Sequence, residues 1–247
     1  MANYEIKDGV AIIPEGTTEI GEDAFYDCTS FESVTIPKSV TKIGDSAFDR
    51  CTSLKSITLP DSVTSIGWYA FTGCTSLKNV TLPDSVTFLG ENAFSCCTSL
   101  ESITISKSVT EIGHYAFDGC SSLKSIIIPE SVRKIGIGTF RWCTLLESIA
   151  IPELVTTIEC NAFMGCTSLK NITIPESVTR IEQNAFKGCT SLTTVILPTG
   201  LKKINVTAFY RCSTLSSIYV PAGKANYYKE VLPEQLHDKI VELQPEK

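Results

Sequence analysis

The residues with the greatest potential for chemistry are the cysteines, which make up 11 of the 247 residues. A row of thiols could form disulfides, bind a metal ion or supply nucleophiles. Nine in one row cannot all pair, and a tetrahedral zinc site is not indicated because there is no C-x-x-C pair. We therefore predict reduced, buried thiols that fill small apolar spaces, with Cys96 as the accessible one. The nine recur every 23 residues, at Cys28, Cys51, Cys74, Cys97, Cys120, Cys143, Cys166, Cys189 and Cys212.

Histidine is the usual base beside a catalytic thiol or hydroxyl, and the chain has only two, His114 and His237. A catalytic site needs a nucleophile, a base and an orienting group in one place. His114 occupies a position that varies between repeats, where a solvated surface side chain is expected, and the nearby Cys120 should point into the core. We predict no catalytic residues, no metal site and no cofactor.

The cysteines mark a repeat whose eight full units run without insertion from residue 28 to residue 211. With the cysteine as position 1, the unit reads C-T-S-L-x-S-I-T-I-P-x-S-V-T-x-I-G-x-x-A-F-x-G. The S-I-T-I alternation predicts a short strand with one buried face, which the proline at position 10 ends. Apolar residues at positions 13 and 16 predict a second extended segment. The Ala-Phe pair at positions 20 and 21 predicts a helical or 3₁₀ turn. Since position 17 changes from Gly to Glu or Asn in later units, a left-handed backbone is not required there.

One unit is too short to enclose its own apolar residues. Stacked coils solve this problem, because the Leu, Ile, Val, Phe and Cys side chains of one coil then pack on those of the next. Neighbouring strands would lie about 4.7–4.9 Å apart in a parallel sheet. The repeat therefore predicts a β-rich solenoid.

The unit CTSLKSITLPDSVTSIGWYAFTG, residues 51–73, closely resembles the BspA-like, or Treponema-type, bacterial leucine-rich repeats. The resemblance covers about residues 10–221. It implies an α/β repeat solenoid, β-rich, that coils right-handed with a parallel sheet on the concave face and short second strands or 3₁₀ turns elsewhere. It also implies protein binding rather than catalysis, commonly by surface or secreted adhesins that contact host or other cell-surface proteins.

The two ends of the chain depart from the repeat. We predict an N-terminal capping unit over residues 1–27, the solenoid over residues 28–221 and a C-terminal cap over residues 222–247. The last segment should contain a short helix interrupted near Pro233 and a closing strand at KIVEL.

Composition narrows the class of partner. A net charge of −6 without any basic run argues against nucleic acid and anionic membranes. No apolar run approaches the roughly 20 residues of a membrane helix. The first residues are acidic where a secretory signal would be positive, so the sequence leaves the location open between the cytosol and a trimmed exported form.

Four consecutive units carry large side chains where other units have Asp, Ser, Lys or Asn. They form a binding hot spot or pack over neighbouring turns; both remain open at this stage. We expect a protein partner, with the chain itself a monomer or weak homo-oligomer. The alternatives are a structural or spacer domain of a larger surface protein, or a cytosolic interaction scaffold. The candidate binding residues are Trp68, Tyr69, Phe88, His114, Tyr115, Arg141 and Trp142.

Overall fold

Each 23-residue unit forms one coil, and most coils have two short strands joined by tight turns; the coils of residues 120–142 and 143–165 have only the second strand. The computed structural model describes residues 4–244, so the outermost parts of the two predicted terminal units, residues 1–3 and 245–247, lie outside the described residues. The strands in chain order are β1 Glu5–Lys7, β2 Val10–Ile12, β3 Glu19–Ile20, β4 Ser33–Thr35, β5 Lys42–Ile43, β6 Ser56–Ile57, β7 Ser65–Ile66, β8 Asn79–Thr81, β9 Phe88–Leu89, β10 Ser102–Thr104, β11 Glu111–Ile112, β12 Lys134–Ile135, β13 Thr157–Ile158, β14 Asn171–Thr173, β15 Arg180–Ile181, β16 Thr194–Ile196, β17 Lys203–Ile204, β18 Ser217–Val220 and β19 Ile240–Glu242.

The strands stack in parallel with a register of one repeat, which confirms the predicted β-rich solenoid. Strands near unit position 7, together with the terminal strands β1 and β19, form the first-strand face, in the order β1-β2-β4-β6-β8-β10 and, further along, β14-β16-β18-β19. Strands at positions 15 and 16 form the second-strand face, in the order β3-β5-β7-β9-β11-β12 and then β13-β15-β17. Within these sheets only β1 runs antiparallel to its neighbour, β2.

The core is one continuous column of stacked side chains. The apolar positions predicted from the repeat are buried, as Leu54, Ile57 and Leu59 illustrate. The phenylalanines at position 21 stack directly on one another, with ring centroids 5.0–5.9 Å apart and ring planes within 10°. This phenylalanine ladder runs through Phe25, Phe48, Phe71, Phe94, Phe117, Phe140, Phe163, Phe186 and Phe209.

The cysteine row lies beside the phenylalanine ladder and is hydrogen-bonded to it. Cys51 donates its thiol proton to the carbonyl of Phe25 in the preceding coil at 3.1 Å, and the same contact recurs up to Cys212 at 3.0–3.2 Å. All eleven cysteines are free, and Cys96 is the exposed one. The predicted burial is confirmed for seven of the nine cysteines in the row, whereas Cys28 and Cys212 are partly buried. The interpretation as purely apolar fillers was incomplete, because eight thiols of the row, from Cys51 to Cys212, also donate to a backbone carbonyl of the preceding coil.

The turn segment differs from the predicted single helical turn. Positions 18–23 form successive hydrogen-bonded turns, in which for example Cys51 N donates to Phe48 O at 3.2 Å. These turns place a left-handed residue at position 23 of each unit and at position 19 of most units, such as Ser46 and Arg50. Within residues 4–244 the one 3₁₀ helix is Glu234–Lys239.

The last coil is followed by helix α1, Ala225–Val231, then by the 3₁₀ helix and by β19, which pairs with β18. Tyr228 of α1 is fully buried and donates its hydroxyl proton to the carbonyl of Pro198. None of the helices in the described chain is long and apolar enough to cross a membrane.

The stacking is weakest where the coil of residues 143–165 meets the coil before it. Neither strand ladder crosses this junction: the first-strand ladder is interrupted between β10 and β14, and the second-strand ladder between β12 and β13. In other units Ser62, Ser131 and Ser177 donate to a valine carbonyl of the preceding coil at 2.6–2.7 Å, but the corresponding residue here is Leu154. Contacts on the turn side persist, since Phe140 N donates to Ala162 O at 2.9 Å.

The buried thiols make the fold sensitive to alkali. Burial raises the pKa of Cys51 from its ordinary value of 9.0 to about 12, and it also raises the pKa values of Cys97, Cys120 and Cys143 well above 9.0. Folding keeps these thiols protonated, so the stability that they contribute to the fold is fully present below pH 9 and is lost as the pH rises toward 12. Above pH 9, each buried thiol should lower the free energy of unfolding by about 1.4 kcal/mol per pH unit. Urea midpoints measured from pH 7 to 11 test this.

The matched variants for that experiment are Cys120→Ala and Cys96→Ala, which remove a buried and an exposed thiol respectively. Cys120→Ala should lower the free energy of unfolding at neutral pH. Between pH 9 and 11 this variant should lose less stability than the parent, and the difference should equal the contribution of one buried thiol. An identical pH dependence in both variants would contradict the role of burial.

The interrupted junction should open more often than its neighbours. Arg133 N and Gly136 N donate to the preceding coil at 2.8 and 3.0 Å, but in the described chain no such bond is made by Thr156 N or Glu159 N. Hydrogen exchange at these two amides should be at least about tenfold faster than at Arg133 and Gly136. Leu154→Ser restores the serine hydroxyl that donates to the preceding coil in other units, so this variant should slow hydrogen exchange at Thr156 and Glu159. Equal protection on both sides of the junction would refute this prediction.

Candidate interaction groove

The second-strand face carries a groove whose floor consists of glycine. A Cβ added at Gly90 would lie 2.5 Å from the carbonyl oxygen of Gly67, and one at Gly113 would lie 2.7 Å from that of Gly90. None of the position-17 glycines has a left-handed φ, as the sequence predicted. Glycine is needed here because neighbouring coils approach closely, and the result is a strip without side chains at Gly44, Gly67, Gly90, Gly113 and Gly136.

Two rows of side chains form the walls of this glycine-floored groove. The first residues of β9, β11 and β12 form one wall, and residues that follow the glycines form the other. The resulting groove has a volume of about 220 Å³. Its lining residues are Trp68, Phe88, Glu91, Glu111, Ile112, Gly113, His114, Lys134 and Gly136.

His114 is held in one wall by a backbone hydrogen bond. Its Nδ1 accepts the N–H of Ile137 at 2.7 Å, just as the Asp45 carboxylate accepts the N–H of Trp68 at 2.8 Å. Because Nδ1 is an acceptor, the proton of the neutral ring lies on Nε2. The expectation of a freely solvated side chain was therefore wrong: His114 is partly buried and satisfies a donor of the next coil.

A second group, the aromatic ridge, consists of Tyr115, Arg141 and Trp142. Arg141 donates from Nε and Nη2 to the carboxylate of Asp118, at 2.9 and 2.7 Å. This hydrogen bond raises the pKa of Arg141. The guanidinium carbon lies 5.1 Å from the centroid of the Tyr115 ring, which places the cation over the aromatic face. Arg141 thus links Asp118 and Tyr115 and holds the side chains of the ridge in place.

The aromatic residues of the ridge pack over glycines of the next coil. A Cβ at Gly138 would lie 2.3 Å from the ring of Tyr115, and one at Gly165 would lie 2.3 Å from the ring of Trp142. Packing over a neighbouring turn, one of the two interpretations open from the sequence, therefore accounts for part of both side chains. Trp142 nevertheless keeps 46% of its surface exposed.

Backbone geometry makes these aromatic positions unusual. Tyr69, Tyr115 and Trp142 have φ angles of 57°, 56° and 60°, in the left-handed region that Asn and Gly tolerate best. A bulky residue in this region costs on the order of 1 kcal/mol. The residues equivalent to Tyr69 and Tyr115 in other coils include Asn92, Asn161 and Asn184.

The seven candidate residues fall into two groups and one outlier. Trp68, Phe88 and His114 line the groove, and Tyr115, Arg141 and Trp142 form the ridge. The outlier is Tyr69, which is 44% exposed and does not line the groove.

Sequence reasoning missed Glu91, Glu111 and Lys134, which complete the walls. The available signal was positional, since these residues occupy the same unit positions, 15 and 18, as Phe88 and Trp68. This signal can be recognised only when the structure shows that positions 15 and 18 lie on either side of the glycine strip.

The first-strand face is mostly hydroxylated, as predicted, and Thr81 and Thr104 are exposed on it. Its main apolar exception is Ile127, which is 84% exposed. A shallow cleft of about 340 Å³ lies beside it at residues 149–153 and 171–175, where the strand ladder is interrupted.

Within residues 4–244 there is no cluster of three or more His, Cys, Asp or Glu side chains suited to a metal ion. The thiol of Cys120 is directed to the Phe94 carbonyl. The other histidine, His237, has Nε2 3.0 Å from the carbonyl of Leu232. Both histidines and the buried thiols thus contact backbone groups.

A family model described as "BspA type Leucine rich repeat region" matches the chain in six copies, over residues 11–124 and 133–233. Among solved structures, a leucine-rich repeat protein from Bacteroides ovatus is 32% identical with a TM-score of 0.77, covering 96% of this chain and 63% of its own. A leucine-rich cell surface protein from Faecalibacterium prausnitzii is 35% identical with a TM-score of 0.60, covering 87% and 66%.

The leucine-rich repeat protein of T. pallidum is 32% identical with a TM-score of 0.53, and the alignment covers 74% of this chain and 78% of that one. No curated protein matches the chain in sequence. The chain spans less than two thirds of the length of the B. ovatus protein.

The left-handed position of Tyr69 makes a prediction about stability. Tyr69→Asn introduces the residue found at the equivalent position, Asn92. It should stabilise the fold by about 0.5–1 kcal/mol in urea denaturation, because asparagine tolerates the left-handed backbone conformation with less strain than tyrosine. Tyr69→Val, with a β-branched side chain at the same φ of 57°, should destabilise it. A loss of stability in Tyr69→Asn would show that the ring contributes more to folding than its exposure indicates.

Proposed function

Because the chain belongs to the BspA-type leucine-rich repeat family, we propose that it is a non-enzymatic solenoid that binds a protein partner through the glycine-floored groove and the adjacent aromatic ridge. The observation that carries this proposal is the groove itself. Trp68 and Phe88 expose 52% and 42% of their surface beside a floor without side chains. Exposed aromatic residues around a concavity are typical of binding hot spots.

Packing over the next coil accounts for only part of this concentration of aromatic residues. The ridge residues Tyr115 and Trp142 occupy left-handed positions that asparagine or glycine would fill at lower cost. Strained positions filled by bulky residues are frequent at functional sites. The first-strand face, by contrast, offers mainly hydroxyl groups, which give few strong anchors.

For location we propose the bacterial surface, with adhesion to host or other cell-surface proteins as the role. The support is the F. prausnitzii relative, which is described as a cell surface protein. We also propose that residues 1–27 and 222–247 cap the repeats, since the buried Tyr228 ties α1 to the carbonyl of Pro198.

A structural or spacer role is the second candidate, and the unbroken phenylalanine ladder favours it. Nine stacked rings with no insertion between coils would serve as a spacer without any binding surface. A cytosolic interaction scaffold would use the same groove in another compartment.

Binding to a panel of purified extracellular-matrix and bacterial-surface proteins tests the proposal. The double variant Trp68→Ser/Phe88→Ser should weaken binding at least about tenfold, or about 1.4 kcal/mol, with an unchanged melting temperature. Analytical ultracentrifugation of both forms shows whether a second copy is the partner.

The matched variant on the opposite surface is Thr81→Arg, at an exposed residue of β8. If it abolishes binding while the groove variant binds as tightly as the parent, the partner docks on the first-strand face and the groove proposal is wrong. If no member of the panel binds at micromolar concentration, the spacer role is favoured.

A further inference from the structure

The groove contains two carboxylates that have no ionic partner within residues 4–244. Glu91 and Glu111 line the groove together with Trp68 and Phe88. The ion pairs of the described chain all involve other carboxylates. Two negative charges beside two aromatic rings are therefore free to act on a ligand.

The chain provides an internal comparison for Glu111. Glu19 and Lys42 are register partners on β3 and β5, and their side chains form an ion pair at 2.8 Å. Glu111 and Lys134 are register partners at the same unit position on β11 and β12, yet the ion pairs of the described chain do not include this pair. The backbone relation is the same, so pairing across these strands is feasible but is not used in the groove.

Aromatic faces next to carboxylates form a site for an organic cation. The electron-rich ring faces of Trp and Phe attract a cation placed above them, with Trp the strongest. Carboxylates add charge-assisted hydrogen bonds. A guanidinium group satisfies both because it is planar, stacks on aromatic rings and donates to a carboxylate with two N–H groups, whereas an ammonium group does not stack.

We propose that the groove binds an arginine side chain of the partner protein, an inference that rests on the proposed protein-binding function. The guanidinium group stacks on Trp68 and Phe88 and donates to Glu111 and Glu91. The aliphatic part of the side chain lies along the glycine floor at Gly113, where no side chain blocks it. The net charge of −6 favours approach of a basic segment.

The lining residues include two carboxylates, Glu91 and Glu111, against one ammonium group, Lys134, and this excess of negative charge favours a cation over a neutral sugar. A sugar site also uses an aromatic platform, but sugar hydroxyl groups both donate and accept hydrogen bonds, so the site needs several donors as well as carboxylate acceptors. The groove has no Asn, Gln, Ser or Thr among its lining side chains, and the Nδ1 of His114 is already occupied by Ile137.

NMR titration provides a direct test, because the chain contains only two tryptophans and the indole N–H signal of Trp142 serves as an internal reference for that of Trp68. The probe is the peptide acetyl-GSGRGSG-amide, compared with the same peptide in which neutral citrulline replaces arginine. The arginine peptide should shift the Trp68 signal saturably and bind at least about tenfold more tightly than the citrulline peptide. Glu91→Gln/Glu111→Gln should remove this preference.

The matched control is Glu101→Gln/Glu130→Gln, which removes two exposed carboxylates outside the groove. Its net charge equals that of Glu91→Gln/Glu111→Gln. It should bind the arginine peptide as the parent does. Equal binding of arginine and citrulline peptides, equal losses in the two double variants, or a Trp68 response to neutral oligosaccharides alone would overturn the inference. The proposed function would still stand in those cases if Trp68→Ser/Phe88→Ser abolished binding of a panel protein, and would fail separately if it did not.

Discussion

The contact between one coil and the identical coil below it determines the rest of this structure. Phenylalanine rings stack on phenylalanine rings at 5.0–5.9 Å, and the Cys51 thiol donates to the Phe25 carbonyl at 3.1 Å. These contacts join residues 23 or 26 positions apart, so inserting one residue would misalign every side chain above it. This accounts for the absence of any slip in the 23-residue period.

Close stacking also explains the glycines and the groove they form. At position 17 the coils are so near that a Cβ would lie 2.5–2.8 Å from the backbone below at Gly67, Gly90 and Gly113. The bare strip is thus a by-product of tight packing, and the flanking rows at positions 15 and 18 give it its chemistry. The second-strand ladder is interrupted at the coil of Glu159 but resumes through the coils of Glu182 and Asn205, so strand pairing itself does not require glycine at position 17.

Most of the fold could be predicted from the sequence because a repeated pattern averages out local ambiguity. Buried positions, both strands and the fate of the cysteines follow from periodicity and residue type. The thiol hydrogen bond could not be predicted, because it depends on the direction of the Phe carbonyl in another coil. Glu91, Glu111 and the backbone role of His114 were missed for the same reason: their neighbours are set by how coils stack, which one unit does not contain.

A regular solenoid separates folding from function more clearly than most folds do. Because equivalent residues in several coils fulfil the same structural task, the common residue at a position shows what folding requires there. Asn92, Asn161 and Asn184 show that the left-handed turn needs only a small polar residue, so the ring of Tyr115 at the equivalent site is not explained by the backbone. By the same comparison, the ion pair of Glu19 and Lys42 shows what Glu111 and Lys134 could form and do not. Deviations from the repeat, clustered in four adjacent coils, are therefore the basis of the binding site proposed for this chain.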